Sequence, residues 1–352
     1  MRLTTPPEFQ SEAMLTGTDF AMLDRLLREE AEEHGLELHD GHGRSTWCET
    51  EMGEFGVKKR GPDVLVFARA HRPEWLVAIQ EAIGEHLAEV HPELAERLAW
   101  SSLADVGRMP ATFSLARVAG IRRIAVDFLR LRLQGPDLRR LATEDSIHFR
   151  LVLPVPGNTA PEWPQIGANG QVVWPKGERA LHRPVFTVRA IDPEAGWIET
   201  DVFLHAGGRV TEWVESGAVG DVVGLSGPSG GGVPSAKRLI LAGDETAYPA
   251  IARIIAARPD ATGDVWLWGA RADYPMPCSP GFGIRHRPGG VEEMQAILRA
   301  TPPAPDAFLW MAGERREVDR LRAQLLDDGG HDRHQSHIAA YWTRQTLPIL
   351  TG

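Results

Sequence analysis

The chain has 352 residues, 43% apolar and 24% charged, with 48 acidic side chains against 38 basic and a formal charge of −10. At about 150 residues per domain, that length predicts two or three domains and a core that needs no disulfide or metal staple. The acidic balance argues against a generic nucleic-acid binder, and no apolar run is long enough to span a bilayer.

The opening Met1-Arg2-Leu3-Thr4-Thr5-Pro6-Pro7 has no apolar signal core, so a cytoplasmic protein is expected. Cys48 and Cys278 stand far apart and form no metal or redox motif. Only Lys58, Lys59, Lys176 and Lys237 are lysines, and the other basic residues are arginines. A GC-rich genome accounts for that bias most simply.

The first hundred residues read as a small α+β domain. Phe20, Leu23, Leu26, Leu27 and Ala31 make one helical stripe between residues 18 and 33. Four strands follow, at 36–40, 45–50, 54–59 and 63–70, with Gly41, Gly43, Gly53 and Gly61-Pro62 as turn signals. A second helix opens at Pro73 and carries Leu76, Ile79, Ile83, Leu87 and Val90 on one face. A further helix is expected near 94–100. This domain, 1–100, is expected to fold by itself, and it contains no obvious chemistry.

From residue 111 to 235 the pattern becomes β-rich, with strands at 121–133, 148–153, 185–191, 197–204 and 221–225. Short strands between Gly and Pro turns suggest an antiparallel β-barrel. The insert from Pro154 to Pro175 reads as a long surface loop. From 236 to 352 strands at 238–242, 264–268, 283–286, 307–312 and 338–343 alternate with helices near 246–257, 291–300 and 314–326. That alternation predicts an α/β doubly wound, mostly parallel sheet, whose ligands bind beyond the carboxyl ends of its strands. Thr246 is the expected N-cap of the first of these helices.

Several short pieces recur in a telling order: Gly135-Pro136-Asp137-Leu138, then Arg183-Pro184-Val185-Phe186-Thr187-Val188-Arg189, then Asp201-Val202-Phe203-Leu204-His205. After them come Gly243-Asp244-Glu245-Thr246-Ala247, Ala312-Gly313-Glu314 and Tyr341-Trp342. In this order and spacing they resemble the siderophore-interacting protein family, flavoproteins of the ferredoxin-reductase type, over roughly residues 111–344. The first hundred residues resemble a small domain of unknown function sometimes fused ahead of such a module.

The resemblance implies an FAD-binding barrel, a domain for NADPH or NADH, and a ferric siderophore as electron acceptor. Iron would be released in the cytoplasm. No general acid, nucleophile or metal site is implied, and no protein partner can be named for the first domain. In the family motif an arginine holds a phosphate, a tyrosine packs on the isoalloxazine, and a hydroxyl reaches the flavin ring. Thr187 and Arg189 match; Phe186 keeps the aromatic plane, while Pro184 stands at the arginine position with Arg183 displaced by one.

A one-residue shift on a strand turns a side chain to the other face, so Arg183 is a poor substitute. The family's flavin pyrophosphate loop corresponds to Gly208-Arg209-Val210-Thr211, after His205 and before Trp213, and Arg209 is expected to restore the missing charge. In the nicotinamide half the loop of Gly243, Asp244, Glu245 and Thr246 stands at the pyrophosphate turn, and Arg271 is the candidate for a ribose phosphate. Gly313, Glu314, Tyr341 and Trp342 are further cofactor-binding candidates, and Tyr341-Trp342 with the Pro154–Pro175 insert is also expected at the rim of the siderophore site. The acids Asp244 and Glu245 are unsuited to a phosphate. His331, His334 and His337 read as a solvated polar loop rather than a metal site. Two alternatives stay open: a flavin reductase for another small acceptor, and a non-enzymatic binding module with a decayed flavin site.

Overall fold

The computed structural model describes residues 7–344 apart from 35, 51, 103, 104, 217, 270, 271, 301 and 328. The N-terminal region contains β1 (Phe9–Leu15), α1 (Phe20–His34), β2 (Glu37–Asp40), β3 (Ser45–Glu49), β4 (Gly53–Arg60), β5 (Asp63–Ala70), α2 (Pro73–Val90) and α3 (Pro92–Arg97). The middle contains β6 (Phe113–Ala125), β7 (Phe128–Gln134), β8 (His148–Val152), β9 (Gln165–Ile166), β10 (Val172–Val173), β11 (Val185–Thr187), β12 (Ala190–Asp192), β13 (Trp197–Phe203), α4 (Arg209–Glu215) and β14 (Val222–Ser229). The last third contains β15 (Arg238–Gly243), α5 (Tyr248–Ala257), β16 (Thr262–Leu267), β17 (Phe282–His286), α6 (Gly290–Ala300), β18 (Ala307–Glu314), α7 (Arg315–Arg322) and β19 (Ser336–Trp342). Among the described residues no helix is long and apolar enough to cross a membrane.

The chain divides into two compact units: residues 1–116, 149–184 and 222–229 form one, and 117–148, 185–221 and 230–352 the other. In the first, an antiparallel sheet runs in the order β1-β5-β4-β3-β2. Leu23 of α1 and Trp75, Leu76, Ile79 and Leu87 of α2 pack with Val57, Val64, Val66 and Ala68 into its core. Sequence reading missed β1. Its buried set, Ser11, Ala13 and Leu15, alternates as a half-buried strand should, but begins with a serine and so hides the apolar pattern.

The insert expected as a surface loop is anchored in the same unit. The Trp100 backbone N–H donates to the Asn169 carbonyl at 2.8 Å, and the Gln171 side-chain amide donates to the carbonyls of Ala95 (3.0 Å) and Leu98 (2.5 Å). The Leu98 N–H already reaches the Ala95 carbonyl at 3.3 Å, so at the C-terminal end of α3 the insert adds a second donor to Ala95 and a donor to the Leu98 carbonyl.

In the second unit the expected single strand at 121–133 is a hairpin of β6 and β7, with Val126 and Asp127 between them. Similarly, the expected strand at 185–191 is two short ones, β11 and β12. Antiparallel pairing continues from β7 to β13 and β12. The parallel sheet has the order β17-β16-β15-β18-β19. Alternate residues of its central strand go to opposite faces: Leu239 and Leu241 meet α5, while Ile240 and Ala242 join the core containing α6 and α7. That is the doubly wound layering the alternating pattern predicts. An aromatic cluster of Phe128, Phe203, Tyr248 and Tyr274 packs the antiparallel strands onto α5, with ring centroids 4.7–6.1 Å apart.

Candidate functional site: an aromatic cavity at the carboxyl end of the parallel sheet

β15 and β19 run parallel, and the residues at their carboxyl ends, together with β11 and β13, enclose a cavity of about 320 Å³. Phe186 and Thr187 come from β11; Asp201, Phe203 and His205 from β13 and its end; Glu245, Thr246 and Pro249 from the β15–α5 turn; and Ala339, Ala340 and Tyr341 from β19. His148, Gly230, Gly231 and His337 complete the wall. The small residues are needed there. A Cβ on Gly230, whose φ is +71°, would lie 2.9 Å from His148 Nδ1, and one on Gly231 would lie 2.9 Å from His337 Cε1.

Burial fixes the protonation states of three polar groups of this wall, His148, His337 and Tyr341. Tyr341 Oη lies 2.7 Å from His148 Nε2, with the two rings nearly perpendicular. Burial, with the neighbouring His337 and Arg253 charges adding to it, lowers the His148 pKa to about 3. Burial likewise lowers His337, which stacks on Trp310, to about 4, and it holds the Tyr341 phenol protonated well above its ordinary range. Asp201, also buried, is bound by Arg130 through two hydrogen bonds of 2.6 and 2.8 Å and by Tyr274 Oη at 2.6 Å. Near neutral pH the two imidazoles are uncharged, and the buried carboxylate of Asp201 faces a guanidinium.

Of the predicted nicotinamide residues, Glu245, Thr246 and Tyr341 reach the cavity, whereas Gly243, Asp244, Gly313, Glu314 and Trp342 frame it. Asp244 turns inward, accepting hydrogen bonds from the Thr246 N–H (2.9 Å), Thr246 Oγ1 (2.5 Å) and Trp342 Nε1 (2.7 Å), and burial raises its pKa. This disposes of the apparent conflict between that acid and an anionic ligand: its oxygens are already used. Gly243 allows close strand approach, since a Cβ there would meet the Ala312 carbonyl at 2.6 Å. Glu314 caps α7 by accepting from the N–H groups of Arg316 and Glu317, and it also accepts from Arg344 N–H. The N-cap of α5 is Ala247, not Thr246, because the Thr246 hydroxyl is engaged by Asp244. Arg271 lies outside the described residues.

The predicted flavin residues divide similarly. Phe186, Thr187 and His205 line the cavity. Val188 is fully buried, and its carbonyl accepts from Arg253 Nη1 at 2.6 Å. The Arg189 Nε atom is buried without a hydrogen-bond partner, and the Tyr274 hydroxyl is close enough to feel that guanidinium. The supposed loop 208–211 is the start of α4, with Gly208 as N-cap; Val210 and Thr211 are buried, Arg209 is exposed, and Trp213 Nε1 donates to Asp221 at 2.9 Å. Arg183 belongs to the first unit, where its guanidinium lies over the Trp174 indole at 4.3 Å.

Sequence reading missed His148, Asp201 as a buried carboxylate, and His337. The polar neighbours Asp332 and Arg333 suggest a solvated loop for all three histidines, but β19 begins at Ser336 and takes His337 into the wall. The apolar Ile338 was the available signal for that strand, read two residues too late.

As a cradle for a flat heteroaromatic ring the cavity fits: it offers an aromatic face at Phe186, a hydroxyl at Thr187 and narrow glycine and alanine walls. No arginine or lysine is among its described lining residues. The phosphates of a dinucleotide must therefore find their charge outside it.

Two family profiles match the chain: a siderophore-interacting FAD-binding domain over residues 117–232, and siderophore-interacting protein over 236–345. An NADPH-dependent ferric-chelate reductase of Escherichia coli is 28% identical over 240 residues, 64% of this chain and 91% of that protein. Ferric acinetobactin reductase of Acinetobacter baumannii is 26% identical over 170 residues, 45% of this chain and 59% of its own length. A solved siderophore utilization protein from T. fusca superposes with a TM-score of 0.58 at 25% identity, covering 67% of this chain and 95% of its own. The siderophore-interacting protein SipS from Aeromonas hydrophila shares the fold, with a TM-score of 0.56 at 23% identity over 68% of this chain and 94% of its own. The first 116 residues lie outside both matched segments.

Proposed function

The chain belongs to the siderophore-interacting protein family, and on that premise we propose that it passes electrons from NADPH or NADH, through FAD, to ferric siderophores in the cytoplasm. It is an NAD(P)H-dependent oxidoreductase with FAD as cofactor. The observation that carries the finer reading is the meeting of Phe186 and Thr187 with Glu245, Thr246 and Tyr341 in one cavity at the carboxyl end of the parallel sheet.

When bound, FAD supplies the link between a donor that gives two electrons as hydride and acceptors that take one each, so one NAD(P)H reduces two Fe(III) to Fe(II). Phe186 would pack against the ring and Thr187 would bond its polar edge. Arg209 and the first turn of α4 would meet the pyrophosphate. His148, His337 and Tyr341 keep their protonation states near neutral pH, so these three groups would neither feed nor drain protons during electron transfer. Reduction weakens a hard-oxygen chelate because Fe(II) is the softer, less charged ion, and iron leaves. The functional parts are then residues 1–100, 111–235 and 236–352, the first with a role of its own.

A second reading is favoured by one observation: Pro184 replaces the expected arginine, and no arginine or lysine is among the described residues that line the cavity. It is a binding module whose flavin site has lost its phosphate anchor. The visible spectrum of natively purified protein, followed by anaerobic assays with NADH and NADPH against several ferric siderophores with Fe(II) trapping, tests both. Fe(II) formation is expected. Flavin reduction without Fe(II) would mean a different small acceptor, and a colourless protein that takes up no FAD would leave the binding module.

A further inference from the structure

Inside the first unit, α2 faces β8 and the end of the insert across a second, smaller cavity of about 140 Å³. Two arginines line it. Arg150 Nη2 stands 3.9 Å from Glu85 Oε2, and Arg183 Nη1 stands 3.8 Å from the other oxygen, Oε1. One carboxylate therefore spans two guanidinium groups, each at ion-pair range and beyond hydrogen-bond range. The pairs are loose and partly exposed, so they stabilise little.

The surroundings keep the arginines in place. The Arg183 guanidinium lies over the Trp174 ring at 4.3 Å; Trp174 Nε1 donates to Glu81 Oε1 at 3.3 Å, and Thr112 Oγ1 donates to Glu81 Oε2 at 3.1 Å. Both oxygens of Glu81 are thus engaged, and among the described residues Glu85 is the acid in ion-pair range of both arginines. Burial is the main cause that lowers the Arg183 pKa, with the Arg150 charge adding to it and Glu85 and Glu81 opposing it. Ser226 and Ser229 line the same cavity, and Ser229 Oγ is buried with no hydrogen-bond partner. A larger cavity of about 500 Å³ shares Glu81, Glu85, Trp174 and Arg183 and adds Lys176.

We propose that Arg150, Arg183 and Ser229 form a binding site for a phosphate-type oxyanion, and that Glu85 of α2 is its built-in stand-in, displaced when the ligand enters. Two guanidinium groups and a hydroxyl offer more donors than one carboxylate can use, which suits a tetrahedral oxyanion. The site is distinct from the aromatic cavity and does not rest on the flavin reading. The ligand is either free phosphate or the phosphate end of a mononucleotide, for which the 500 Å³ cavity beyond provides room.

The test is calorimetric titration of the full-length, FAD-saturated protein with inorganic phosphate and, separately, with AMP. Folding of each variant is checked by its thermal midpoint. Glu85→Gln is expected to tighten phosphate binding about fivefold, because it removes a competing surface charge. Arg150→Ala and Arg183→Ala should each weaken it about tenfold or more. Tighter binding of AMP than of phosphate, lost in the same arginine variants, would support the site and assign a nucleotide to it. Unchanged phosphate affinity in Glu85→Gln or Arg150→Ala would overturn the proposal. So would a phosphate isotherm seen without FAD and abolished by FAD saturation, which would return Arg183 to the flavin.

Discussion

Two cavities of this molecule are built on opposite principles. The one around Phe186 and Tyr341 has aromatic, imidazole and small-residue walls, with its buried acids already engaged by Arg130, Tyr274, Thr246 and Trp342. The one around Arg183 is lined by exposed or half-buried charges held by loose pairs. On the readings proposed above, the first would hold a ring without moving and the second would exchange its counter-ion. Arg183 and Phe186 are only three residues apart, but β11 begins at Val185, so Arg183 precedes the strand that carries Phe186 and takes Trp174 and Glu85 as its partners.

The sharpest way to break this contrast is to remove one acid from each cavity. Asp201→Ala leaves the half-buried Arg130 guanidinium without its bidentate partner and is expected to cost about 3–5 kcal/mol in urea unfolding. Glu85→Ala is expected to cost less than about 1 kcal/mol. Equal costs would mean that the two cavities do not differ in rigidity.

Acid should weaken the first cavity selectively. His148 and His337 stay neutral in the fold down to about 3 and about 4, whereas both rings protonate near 6.5 once unfolded. Between those limits the unfolded chain binds more protons, so stability is fully present above pH 6.5 and falls as the pH drops. His148, almost wholly buried, should account for about 2 kcal/mol between pH 6.5 and 5, and half-buried His337 for less. Urea midpoints at pH 7.5 and 5 for the native protein and for His148→Gln should show the slope flatten in the variant.

Smaller effects separate ring recognition from charge recognition. Thr187→Val should weaken FAD binding about tenfold through one lost hydrogen bond, while Ser336→Ala leaves it unchanged. Arg209→Ala should weaken it about fivefold at low salt and less at high salt, since Arg209 is exposed and its charge is screened. Fluorescence titration of FAD at two ionic strengths measures both. An Arg209 effect that ignores salt would place that side chain in a buried contact instead.

Much of the fold could be read from periodicity. The parallel sheet was legible because its strands are apolar runs, such as Leu239 to Ala242, broken by long amphipathic helices. Boundaries inside the antiparallel region were less so: β6 and β7 share one stretch of alternating residues, and only the Val126-Asp127 turn divides them. The cavity was half legible. Phe186, Thr187 and the segment around Glu245 carry motif spacing, whereas His148 and His337 acquire their roles from the pairing of distant strands. Arg183 illustrates the limit of motif reading. Its neighbours in the chain named one partner, and Trp174 and Glu85 gave it others.

The first compact unit is assembled from residues 1–116, 149–184 and 222–229, and this discontinuity sets a timetable. On a ribosome making about 5–20 residues per second, its last segment emerges on the order of ten seconds after its first is complete. Until the insert arrives, the carbonyls of Ala95 and Leu98 wait without the Gln171 amide, and Glu81 lacks the Trp174 indole. The N-terminal sheet and helices must therefore persist as a partly finished body during synthesis. A chaperone that recognises exposed apolar surface has its longest opportunity to act in that interval.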